Sequence, residues 1–101
     1  MKEIYSCDNY KVMNVILKAS EKMPLHHATS NAFLICKKGK ARITFSDRIV
    51  ELNSNETLLI KANERHHLEI LEDFCSNIIL ESDAKINFVK QQPQVFSANI
   101  Y

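Results

Sequence analysis

Glycine is almost missing from this chain. One residue in 101, Gly39, is glycine, and two prolines, Pro24 and Pro93, complete the strong breakers. Sharp turns must then fall on Asn or Asp, the next most tolerant of a positive φ, and Asn9, Asn53, Asn55 and Asn63 stand at such places. An excess of charge is missing too. Thirteen Lys plus Arg against twelve Asp plus Glu leave a net charge of +1, with no field to draw the chain to nucleic acid or an anionic membrane. The longest apolar runs, Phe33 to Cys36 and Thr57 to Ile60, are far too short to span a bilayer. Met1 to Tyr10 carries charges where a secretion signal would be apolar, so the expectation is a cytoplasmic protein. Cysteine is sparse and odd in number: Cys7, Cys36 and Cys75 include no CxxC pair, which excludes a disulfide framework and a zinc finger. All three are expected to be reduced. Cys36 and Cys75, at the edges of apolar runs, are expected in the core and slow to react.

What is present is strand-like. With 46% hydrophobic and 25% charged residues, the chain reads as one globular domain with a single core. Apolar residues alternate at period two in short segments. These are Lys11 to Lys18, Ala32 to Cys36, Ala41 to Phe45, Ile49 to Leu52, Thr57 to Ile60, His66 to Leu71, Cys75 to Glu81 and Lys85 to Val89. Nowhere does a helical spacing persist over three turns. Lys37-Lys38-Gly39-Lys40 reads as a hairpin turn whose lysines, with Arg42, form a solvated basic tip. Ser46-Asp47 and Asn53-Ser54-Asn55 read as further turns. About eight strands predict an antiparallel all-β barrel or sandwich over residues 1–90. The tail, 91–101, breaks the pattern at Gln91 to Gln94 and is expected either to dock as a last strand or to be disordered.

The four histidines form two adjacent pairs, His26-His27 and His66-His67. Neighbours on a strand point to opposite faces, so one of each pair can face the interior. His66 shares its face with Leu68 and Ile70 and is expected inside. His67, with Glu69, is expected outside. For the first pair, His26 and His27 remain alternatives. Imidazoles from separate strands of a barrel can converge on one metal. Cys36, on the face of Ala32 and Leu34, could add a thiolate. Phe33 and Ile35 lie on the opposite face, so both sides of that strand need cover, and a homodimer is expected. The segment from Lys2 to Leu17 could add to a partner's sheet.

The stretch from Met23 to Leu80 resembles a small single-domain cupin. Taking Gly39 as the turn glycine of the first cupin motif puts the motif's Glu at Ala32, its second His at His27 and its first His at Leu25. The second motif reads Asn55, Glu56 to Ile60, Lys61-Ala62-Asn63, Glu64-Arg65 and His66, with Asn twice where glycine is usual. A subgroup of small cupins with a single first-motif His is similar over Met23-Pro24-Leu25-His26, Asn31-Ala32-Phe33, Ala62-Asn63, His66, Leu68 and Asp73-Phe74 to Leu80, which selects His26. The resemblance implies a double-stranded β-helix, the jelly-roll or cupin barrel. It implies a small molecule bound near Leu34, Cys36 and Leu68. It also implies a divalent transition metal (Zn, Fe, Mn or Ni) at His66 with His26 or His27, in place of the family's three His and one carboxylate. The alternative is a metal-free sensory or interaction module without enzymatic activity.

Overall fold

The computed structural model describes residues 1–90, and every regular element in them is a β-strand. In chain order these are β1 (Lys2–Ser6), β2 (Tyr10–Leu17), β3 (Lys22–Ala28), β4 (Ala32–Phe45), β5 (Ile49–Asn53), β6 (Thr57–Ile60), β7 (His66–Glu81) and β8 (Ile86–Phe88). All pairings are antiparallel. The expected tail at 91–101 lies outside the described residues.

β7 is the spine. It pairs with β4 along one edge, while on the other edge its first half takes β3 and its second half β2. β4 divides in the same way, with β6 beside Ala32–Ile35 and β5 beside Lys40–Thr44. The order is therefore β1-β2-β7-β4-β6 at one end and β8-β3-β7-β4-β5 at the other. The sheet curls between the two ends, and alternate apolar side chains meet inside. Leu34, Ile43, Leu52, Ile60, Leu68, Ile70, Phe74 and Leu80 are all buried there. The all-β antiparallel barrel expected from period-two spacing is the fold that forms.

The expected hairpin at Lys37-Lys38-Gly39-Lys40 is not a turn. β4 runs straight through it, and its register against β7 slips between Cys36 and Ala41. Gly39 sits at φ 86°, and the backbone oxygens of Asp73 and Glu72 fill the space a Cβ would need. This is a bulge that bends one long strand, where glycine allows another backbone to come close. β7 is likewise continuous through Glu72-Asp73, where two strands were expected. The eight strands of the fold are thus a different eight: two expected pairs fuse, and β1 and β3 take their places. Pro24 in β3 sits in a second bulge, between Met23 opposite Leu68 and His26 opposite His66, a position compatible with its missing N–H.

The glycine shortage has the expected result at two turns, where Asn55 and Asn63 adopt φ of 71° and 64°. Ser20 does so as well, at 75°, which the sequence did not announce. No disulfide forms: Cys36 is buried, Cys7 is exposed, and Cys75 is only half-buried. Cys75 is not a core residue as expected, because its neighbours Phe74 and Ser76 take the inner face and its sulfur lies outside, 3.7 Å from Asn14 Nδ2. No helix of the described residues is long and apolar enough to cross a membrane.

Candidate functional site: a cavity holding two neutral histidines

Curling the sheet leaves a cavity of about 40 Å³ inside the barrel, room for roughly three water-sized positions. Its walls come from Val15 on β2, Met23, His26 and Ala28 on β3, Ala32 and Leu34 on β4, and Ile60 on β6. From β7 come His66, Leu68, Phe74, Ser76, Ile78 and Leu80, with Ile86 of β8 and Met1 closing it. His26, His66 and Ser76 are the polar side chains in an otherwise apolar wall.

The bulge at Pro24 sets His26 directly opposite His66 across the β3–β7 ladder. Both are buried, and their ring centroids lie 4.3 Å apart, edge to face. Each ring is held by the carbonyl two residues before it. His26 Nδ1 lies 2.7 Å from the Pro24 oxygen, and His66 Nδ1 lies 2.9 Å from the Glu64 oxygen. A carbonyl only accepts, so each Nδ1 carries the proton and each neutral ring keeps a bare lone pair on Nε2.

Burial holds both rings neutral. Desolvation lowers His26 below its ordinary value against the opposing Pro24 hydrogen bond. The same cause pushes His66 down to about 4. Aromatic contacts hold the pair in place: Phe45 lies 5.5 Å from His66 and Phe88 lies 5.3 Å from His26, between ring centroids. Arg48 covers Phe45 at 3.8 Å and grips the Glu64 carboxylate at 2.8 and 3.3 Å. Arg48 holds the Glu64 carboxyl below its ordinary value. The residue whose carbonyl orients His66 is therefore itself anchored through its side chain.

Of the residues singled out in the sequence, His26, His66, Leu34 and Leu68 meet at this cavity. His27 and Cys36 do not line it. His27 is half-buried in the alternate orientation on β3, and its Nδ1 has no hydrogen-bond partner among the described residues. Cys36 is buried, but its sulfur turns to the bulge, 3.5 Å from the Lys38 oxygen and 3.8 Å from that of Gly39. Burial there pushes the Cys36 thiol up, away from the thiolate a metal would need. His67 lies half-buried opposite Thr44, outside. The reading of single residues missed Ser76, Phe74, Met23 and Met1. Ser76 had a signal, since it alternates with Phe74 and Ile78 on one face of β7.

A full cupin metal set does not fit these residues. Leu25 and Ala32 occupy the positions of the first His and the carboxylate in the strict register. Among the described residues no group of three or more His, Cys, Asp or Glu comes together. A dication at His26 and His66 would face two neutral imidazoles and apolar walls with no anion to offset its desolvation.

Comparisons with known proteins agree with the fold. Residues 1–85 match the family described as mannose-6-phosphate isomerase C-terminal. A search of curated proteins finds no sequence match. A cupin-2 domain protein of Shewanella frigidimarina superposes with TM-score 0.70 at 20% identity, over 79% of this chain and 78% of that one. A RmlC-like cupin of Methanocaldococcus jannaschii gives 0.72 at 15% identity, over 80% and 77%. The DMSP lyase DddQ of Ruegeria pomeroyi gives 0.74 at 13% identity, with this chain covering 44% of its length. At such identities the likeness is one of fold. With residues 1–85 matched and a curled antiparallel barrel around them, this chain belongs to the mannose-6-phosphate isomerase C-terminal family of cupins.

Proposed function

We propose that the barrel binds a compact, largely apolar small molecule through a neutral hydrogen-bond donor, such as a hydroxyl, directed at the Nε2 lone pairs of His26 and His66. The observation that carries this reading is the pairing of those rings in an apolar cavity, each with Nδ1 committed to a backbone carbonyl. An anionic group is disfavoured, because the cavity offers neither a cation nor an N–H aimed at it. The reading is of a binding module rather than a catalyst, since an imidazole titrating near 4 is a poor base at neutral pH. A divalent ion, if held by the pair, would be held weakly, with water at its remaining positions. Met1 and Met23, unbranched and adaptable, are the wall residues best able to yield to a ligand larger than the resting cavity. Three unpaired cysteines suit a reducing compartment, and we place the protein in the cytoplasm.

Isobutanol and its carboxylate counterpart isobutyrate make a matched pair of probes. At neutral pH isobutanol is expected to shift the His26 and His66 resonances, and isobutyrate to leave them unmoved. His26→Phe and His66→Phe keep the ring volume and remove the acceptor, so each is expected to weaken isobutanol about tenfold, one hydrogen bond's worth. Equal binding of isobutyrate, or unchanged affinity in both variants, would overturn the reading. So would submicromolar Zn²⁺ or Ni²⁺ binding that both variants lose.

A further inference from the structure

Ser76 is the polar wall residue that the histidine pair leaves unused. β7 supplies His66 from the half beside β3 and Ser76 from the half beside β2, and both line the same cavity. Ser76 stands between Cys36 on β4 and Val15 on β2, all three buried. An alanine would fill that place without bringing a polar atom into the core. The single hydroxyl proton of Ser76 is already committed to the backbone, with the Ile35 oxygen at 3.1 Å and the Asn77 oxygen at 3.3 Å. Whichever carbonyl takes it, the lone pairs of Oγ stay free to accept. The histidines are arranged in the same way, each Nδ1–H given to a carbonyl. His26, His66 and Ser76 are thus three acceptors, and no side chain of the wall has an uncommitted proton.

We infer that the ligand is a small diol on an apolar skeleton, one hydroxyl donating to the imidazole pair and the second to Ser76 Oγ. This rests on the reading of the cavity as a hydroxyl-binding site and narrows its ligand class. A monohydric alcohol brings one proton to three acceptors, whereas a diol brings two and reaches both halves of β7. The second hydroxyl has to be matched to be tolerated, because buried polar groups without a partner are costly. A purely apolar pocket rejects an isostere with one added hydroxyl by about a hundredfold. Ser76 removes that penalty by offering an acceptor whose own proton is already satisfied. Sugars fit poorly. Their hydroxyls lie on nearly every carbon, more than three acceptors match, and the rest of the wall is apolar.

The probe is 2-methyl-1,3-propanediol, which is isobutanol with a hydroxyl on its second methyl group. Titrated against the histidine resonances, it is expected to bind within about threefold of isobutanol, one hydrogen bond offsetting the desolvation of the added hydroxyl. Ser76→Ala is expected to weaken the diol about tenfold and to leave isobutanol unchanged. A second measurement needs no variant, and so decides the matter even if Ser76→Ala fails to fold. The carbinol protons of the bound diol should give nuclear Overhauser effects both to an imidazole Hε1 and to the β-protons of Ser76. A diol about a hundredfold weaker than isobutanol in the unaltered protein, a Ser76→Ala variant that weakens both probes equally or neither, or contacts to the imidazoles alone would overturn the proposal. With isobutanol still bound, any of these removes the diol and leaves the binding reading standing. Isobutanol that fails to move the histidine resonances removes both.

Discussion

Gly39→Ala is expected to destabilise the protein by about 3 kcal/mol or more, the largest loss from adding a single methyl group anywhere in the fold. Two effects act together. The φ of 86° at this bulge is a conformation that costs a residue with a Cβ about 1–2 kcal/mol. The backbone oxygens of Asp73 and Glu72 already occupy the place of that Cβ, and forcing volume into filled space costs about 1–3 kcal/mol more. Backbone cannot swing aside as a side chain would. Urea unfolding of the variant against Lys38→Ala, a neighbour with an exposed side chain, checks this. A loss below about 1 kcal/mol would mean that β4 and β7 do not approach at the bulge as described.

Acid is expected to weaken the fold in a window set by the cavity histidines. His66 titrates near 4 in the folded chain and near 6.5 when unfolded. Between those values the unfolded state holds the extra proton, so stability is complete above about pH 6.5 and falls as pH drops toward 4, then levels off. His26 is shifted in the same direction by the same burial. For His66 the loss is at most about 3 kcal/mol, and less to the extent that water reaches Nε2. Glu64, lowered by Arg48, contributes in the same sense but only as pH falls below the ordinary carboxylate range. Denaturation midpoints from pH 7.5 to 4.5 should decline, and His66→Phe should flatten the slope between 6.5 and 5. A wild-type profile flat across that interval would contradict the burial of neutral imidazoles.

The parts of the fold that follow from side-chain alternation were legible in the sequence. His66 with Leu68 and Ile70, and Leu34 opposite Phe33, declare their faces because a strand has a period of two. The breaks were less legible. Lys37-Lys38-Gly39-Lys40 has turn composition, yet the same glycine serves a bulge, and local sequence does not distinguish a chain that reverses from one that bends. Pro24 hid β3 for the same reason, and with it the choice between His26 and His27. That choice depends on one extra residue between Met23 and His26 that alternation alone does not count. Cys36 was read correctly as inward, but the bulge next to it draws the sulfur away from the cavity. The bulges, then, and not the strands, decide which histidines meet.

The central claim is that His26 and His66 present bare Nε2 lone pairs to an apolar cavity. Nitrogen-15 resonances of the imidazoles at pH 7 test it most directly, because protonated and bare ring nitrogens resonate far apart. The expected spectrum shows both rings neutral, with the proton on Nδ1 and none on Nε2, and with the Nε2 signals moving on addition of isobutanol. Either ring found as imidazolium, or with its proton on Nε2, would contradict the account.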